Sequence, residues 1–137
     1  MKFLVDANVL SEATRQSPSV EVIDWLRRHE ADLAVDPIVL GELRFGVLLL
    51  PRGRRRAALE HWFVNTVKAI PCVTWTADTG LRWSGLLATL RRRGKAMPIK
   101  DSLIAASALE HDLTVVTRNV RDFGAAGVRI VDPFAVH

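Results

Sequence analysis

The 137-residue chain lacks several features that direct a fold or a function. It has one cysteine, Cys72, so no internal disulfide can form, and nothing resembles a zinc knuckle. Its longest apolar run, Phe45 to Leu50, falls far short of the roughly 20 residues of a membrane span. Lys2-Phe-Leu-Val meets Asp6 too soon for a secretory leader. The chain is therefore expected in the cytoplasm, with no membrane partner. There is no Gly-x-Gly-x-x-Gly and no P-loop, which argues against a dinucleotide or nucleoside-triphosphate site. Ser84-Gly85 lacks the surroundings of a nucleophile elbow. No repeat, low-complexity tract or linker divides the sequence, so residues 1–137 read as one domain.

What is present is globular: 49% hydrophobic and 25% charged residues, enough to bury a sizeable core. The net charge of +4 is unevenly spread. Residues 51–100 hold eleven of the nineteen Lys and Arg but only Glu60 and Asp78 as acids, whereas both flanks are net acidic. A basic middle between acidic flanks suggests a polyanionic partner. Arg52, Arg54, Arg55 and Arg56, near a helix start, could grip the phosphates of such a partner or could form a solvated turn. Arg91–Arg93 suit a helix C-terminus. Trp25, Trp62, Trp75 and Trp83 fall mostly on apolar faces and read as packing. His29, His61, His111 and His137 show no metal-ligand spacing.

Phe3-Leu4-Val5 reads as a strand buried on both faces, and Leu33–Val35, Val73, Leu113–Thr117 and Val128–Val131 as further strands. Ser17-Pro18 and Asp36-Pro37 each pair a capping residue with proline, predicting helices to about His29 and Leu50. The arginine-rich turn Pro51–Arg56 precedes helical spacing from Leu59 to Ile70. Trp83 to Leu90 mark another helix, ended by Arg91–Gly94, and Pro98 precedes a helix from about Lys100 to His111. Alternating strands and helices predict an α/β domain with a mostly parallel sheet, where ligands bind outside the carboxyl ends of strands.

Four carboxylates stand in unexpected places. Asp6 directly follows the first strand, as a helix cap or as a site residue. Glu42 has Ile38, Phe45, Gly46 and Leu49 at helical spacing, an apolar setting in which a lone ionised carboxylate costs several kcal/mol. That predicts a partner cation, an arginine in the bland reading. Asp101 shares its helix face with Ile104, Ala105 and Ala108 and lies in the first turn, where the helix dipole favours an anion. Asp122 follows the strand ending at Thr117. Gathered at one end of the sheet, these acids would repel one another and would have to take up protons or hold cations. All-oxygen ligands favour Mg²⁺ or Mn²⁺, and such a site beside a basic surface suits phosphodiester hydrolysis.

Four stretches then resemble the ordered signatures of PIN-domain ribonucleases, nearest the VapC toxins of bacterial toxin–antitoxin pairs. They are Leu4-Val-Asp6-Ala-Asn8-Val-Leu-Ser-Glu12, Val39-Leu-Gly-Glu42-Leu-Arg-Phe-Gly46, Pro98-Ile-Lys-Asp101-Ser-Leu-Ile-Ala-Ala106 and Val116-Thr117-Arg-Asn119-Val-Arg-Asp122-Phe123. The resemblance runs from Met1 to about Pro133. It implies a three-layer α/β/α sandwich, metal-dependent endonuclease activity on RNA, a homodimer, and inhibition by a cognate VapB-like antitoxin whose tail occupies the active-site groove. It further implies that Asp6 and Asp101 are direct metal ligands, and that Glu42 is a ligand or orients a water. Asp122 would ligate through water or support a second ion, with Asn8, Thr117 and Asn119 as supporting polar residues. Many relatives have aspartate where this chain has Asn119, and the missing fifth acid argues against strong binding of a second metal. An alternative is a binding module that keeps the fold and acts mainly within a DNA-binding toxin–antitoxin repressor complex. A phosphoacceptor domain using Asp6 is a third reading and leaves Glu42 unexplained.

Overall fold

The computed structural model describes Met1–Ala135; His137 lies outside the described residues. Four parallel strands form one sheet in the order β2-β1-β3-β4: β1 is Phe3–Val5, β2 Leu33–Ala34, β3 Thr114–Val116 and β4 Ile130–Val131. Phe3 pairs with Leu33 on one side and Thr114 on the other, and Val116 pairs with Val131. Consecutive side chains of a strand point to opposite faces. Leu4, Val5, Val115 and Val116 are nevertheless all fully buried, so helices cover both faces, as the continuous apolar strands predict.

Among the described residues seven helices flank the sheet: α1 Ala7–Leu10, α2 Val20–Arg28, α3 Pro37–Leu48, α4 Arg54–Trp62, α5 Ala77–Arg92, α6 Ile99–His111 and α7 Val120–Phe123. The Asp36-Pro37 signal opens α3 as expected, with Asp36 Oδ1 accepting from the Ile38 N–H at 2.8 Å. The cap of α2 is Ser19, two residues later than Ser17-Pro18 predicts. The reason lies upstream: the buried Glu12 accepts the Ser19 backbone N–H at 2.8 Å and fixes where the chain turns into the helix.

Three further expectations change. The helix from Leu59 starts earlier, at Arg54, and passes into a π-helical turn at Phe63–Val67. The strand expected at Val73 is a single bridge between Val35 and Cys72, at the β2 edge. On α3 the core-facing residues are Val39, Leu43 and Val47, while Phe45 is 60% exposed and Leu49 is also exposed. Glu42 therefore does not sit in a core-facing stripe. Of the apolar neighbours that seemed to bury it, Ile38 packs partly against the core, whereas Phe45 and Leu49 face the surface.

Helix α6 follows its prediction closely. Ala105, Ala106, Ser107 and Ala108 are all buried, and α6 packs extensively on α5. Trp83 Nε1 donates to Ser102 Oγ at 2.9 Å across that contact. Trp25 is buried and stacks on His29, whereas Trp75 is partly exposed and bonded by its indole N–H.

Candidate active site

Asp6 leaves β1 in extended conformation, and its N–H donates to Val116 O at 2.8 Å, continuing the ladder for one more step. Its carboxylate does two jobs. Oδ1 accepts the Ala7 N–H at 2.8 Å and caps α1, while Oδ2 accepts the Thr117 hydroxyl at 2.7 Å. The cap and site readings of Asp6 are thus compatible. Asn8 Nδ2 lies 3.4 Å from both Asp6 Oδ2 and Thr117 Oγ1, and Asn8 Oδ1 accepts the Arg118 N–H at 3.2 Å. Thr117 Oγ1 also accepts the Asn119 N–H at 3.0 Å, so Asn119 contributes through its backbone here.

Asp101 enters from the first turn of α6 and is 2% exposed. Burial foremost, then the charge of Asp6, pushes its carboxyl up to about 6, against the opposing pull of Lys100; Asp122 and Glu42 add to the rise. Burial also raises Asp6, partly offset by the Thr117 hydroxyl, the Ala7 N–H and Lys100. Asp6, Glu42 and Asp101 therefore sit close enough to register one another's charge, and Asp122 close enough to act on Asp101.

The cation expected beside Glu42 is a lysine rather than an arginine. Lys100 Nζ donates to Glu42 Oε1 at 2.9 Å and Oε2 at 3.0 Å. Both side chains are nearly two-fifths exposed, so the pair is worth about 1 kcal/mol or less and can be exchanged. Burial works against the ammonium, but the Glu42 hydrogen bond and the charges of Glu42, Asp6 and Asp101 raise its pKa overall.

The donor set suits a hard divalent cation, being all oxygen. Asp101 Oδ1 is buried and accepts no hydrogen bond in the protein, an arrangement that leaves it available to a ligand. Among the described residues no three Asp, Glu, His or Cys side chains converge tightly enough to hold an ion as they stand. Mg²⁺ needs only one or two carboxylates besides water, which Asp6 and Asp101 can supply.

A groove of about 430 Å³ runs from Asn8 and Glu42 past Gly46 to Arg55 and Trp62. Of the four arginines singled out by sequence, Arg52, Arg54 and Arg55 are exposed, and Arg55 lines this groove. Arg56 is committed elsewhere, donating to Glu60 at 3.2 Å and to Leu50 O at 3.1 Å. Sequence reasoning overlooked Lys100 as a site residue. The available signal was a cation in the first turn of a helix, where the dipole disfavours it. It also passed over Glu12 as a buried anchor.

The PIN domain model matches residues 3–127. The chain belongs to the PIN domain family. Among its PIN relatives, the plasmid stability protein StbB of Pseudomonas syringae pv. tomato is 34% identical, covering 96% of this chain and 97% of its own. The VapC ribonuclease Y4jK of Sinorhizobium fredii is 30% identical, covering 96% of each chain. A solved structure of FitAB bound to an IR36 DNA fragment superimposes with a TM-score of 0.92 at 27% identity, over 98% of this chain and 97% of the other. The sandwich expected from the sequence is thus a PIN fold.

Proposed function

We propose that this PIN chain is the endoribonuclease toxin of a type II toxin–antitoxin pair, acting as one nuclease domain in the cytoplasm. The observation that carries this reading is the pairing of Asp6 with the buried, incompletely bonded Asp101 at the carboxyl end of the sheet. The relative named VapC ribonuclease supports the activity.

Asp6 and Asp101 would hold Mg²⁺ or Mn²⁺, which supplies Lewis acidity toward a phosphodiester and an attacking water. Thr117 and the Ala7 N–H fix the Asp6 carboxylate so that no rotamer search precedes binding. Glu42, on the groove wall, would orient the attacking water or add a ligand. Asp122, on α7, adds negative charge beside Asp101 and supports the site through water or a second ion. RNA would lie along the groove toward Arg55.

A cognate VapB-like antitoxin would inhibit by filling the same groove. Phe45, Leu48 and Leu49 expose apolar surface at the end of α3, which supports a homodimer. Cleavage of total RNA with Mg²⁺ or Mn²⁺, against a chelator control, tests the reading. Divalent-dependent cleavage lost in Asp6→Asn and Asp101→Asn supports it, and chelator-resistant cleavage or unimpaired variants overturn it. The likeness to FitAB on DNA favours a second role, as part of a DNA-binding repressor complex with the antitoxin. No helix among the described residues is long and apolar enough to cross a membrane.

A further inference from the structure

Lys100 occupies an unfavourable place. It lies in the first turn of α6, where unsatisfied backbone N–H groups already make the environment positive. Yet its ammonium is directed at both oxygens of Glu42, 58 residues away. The negative groups facing it are Glu42 from α3, Asp6 from the end of β1, and Asp101 from its own helix. Lys100 is also the cation whose charge acts on both Asp6 and Asp101. A monovalent cation thus stands where Glu42, Asp6 and Asp101 need positive charge.

We propose that Lys100 is the internal counter-ion of this acidic site, holding Glu42 in the metal-free chain and releasing it when a divalent cation binds. The inference rests on the metal-dependent reading above and adds a regulation to it. In the metal-free chain both Glu42 oxygens are engaged by Lys100, and no three-acid cluster is formed among the described residues. A divalent ion beside Asp6 and Asp101 repels the ammonium and attracts Glu42, so the pair opens as the ion enters. Lys100 is a positioning residue on this account, since it acts through Glu42. A plain ion pair joining α3 to α6 predicts otherwise: its loss would soften the fold and leave metal affinity unchanged.

The test is Mn²⁺ binding by calorimetry at fixed pH and salt, which requires no turnover. Lys100→Met should bind Mn²⁺ about tenfold more tightly than wild type, because both the repulsion and the competition for Glu42 are gone. Lys100→Arg should restore the weaker wild-type affinity. In a Glu42→Gln background the gain from Lys100→Met should shrink, because the carboxylate to be released is absent. Thermal melting in chelator establishes that each variant is folded, and Lys100→Gln stands in if Lys100→Met is not. Equal or weaker Mn²⁺ binding by the folded Lys100 variant overturns this proposal while leaving the metal reading intact. Absence of Mn²⁺ binding in wild type and variant alike overturns the metal reading, and this proposal with it.

Discussion

Thr117 donates its hydroxyl to Asp6 Oδ2 at 2.7 Å, joining the ends of two neighbouring parallel strands across 111 residues of chain. Both residues are buried, so the bond is neither competed for by solvent nor easily rearranged. It aims one carboxylate oxygen while the Ala7 N–H aims the other.

Thr117→Val removes the aim and keeps the shape. Loss of a partner that orients a metal ligand typically costs about 10- to 100-fold in metal affinity or activity, and a loss of that size is expected here. The hydroxyl also restrains the upward shift of Asp6, so its removal should move the acid limb of the pH–rate profile to higher pH. Thr117→Ser should retain both. Steady-state cleavage of a short RNA across pH, with Mn²⁺ titrations, checks the expectation.

Asp101→Asn should separate stability from activity. Asp101 has its pKa raised from 3.8 to about 6 on folding, so the folded chain holds its proton more tightly than the unfolded chain does. The resulting stability is present in full below about pH 4 and is lost as pH rises through about 6. Above that pH the ionised carboxylate destabilises metal-free protein by roughly 3 kcal/mol, the opposing charge of Lys100 included. Asn at this position carries no charge, so in chelator the variant should be the more stable protein at pH 7.5 and no more stable near pH 4. Its RNA cleavage should fall at least about 100-fold. Urea unfolding at the two pH values, beside cleavage assays, reads both effects.

Much of this site was legible because its parts are local. The run Phe3-Leu4-Val5 ends at Asp6, the Asp36-Pro37 cap opens α3, and the small-residue face of α6 carries Asp101; each needs only a few neighbouring residues to be read. The misreadings are non-local or follow from a surplus of apolar residues. Three core positions, Val39, Leu43 and Val47, suffice for α3, and the exposed Phe45 and Leu49 made Glu42 look buried. The Ser19 cap depends on Glu12 seven residues earlier, and the Glu42–Lys100 pair spans 58. The π-turn at Phe63–Val67 keeps a nearly helical spacing of apolar side chains, so periodicity does not reveal it.

Asp36→Ala should be among the most destabilising substitutions away from the acidic site. The fully buried Asp36 carboxylate caps α3 at Ile38, accepts the Trp75 indole N–H at 3.0 Å and accepts the Ser107 hydroxyl of α6. Alanine removes the cap and leaves buried Ser107 without its acceptor, for a combined loss of about 3 kcal/mol. Trp75→Phe removes the single indole N–H that Asp36 and Ser107 share and should cost about 1 kcal/mol. Thermal or urea unfolding ranks the two; a larger loss in Trp75→Phe would show that Trp75, and not Asp36, anchors the network.

The arginines of α4 should divide by role. Arg55 lines the groove that begins at Asn8 and Glu42, whereas Arg56 is held by Glu60 and the Leu50 carbonyl. Each phosphate contact to a single strand contributes about 0.7 to the slope of log affinity against log salt. Arg55→Ala should therefore weaken RNA binding and lower that slope by about one contact. Arg56→Ala should leave the slope unchanged and cost only a little stability, since its bonds to Glu60 and the Leu50 carbonyl are within α4 and its approach. Fluorescence anisotropy with a labelled RNA over a salt series, using the Asp6→Asn protein to prevent cleavage, measures both. A reduced slope in Arg56→Ala with none in Arg55→Ala would place the RNA path on the opposite side of α4.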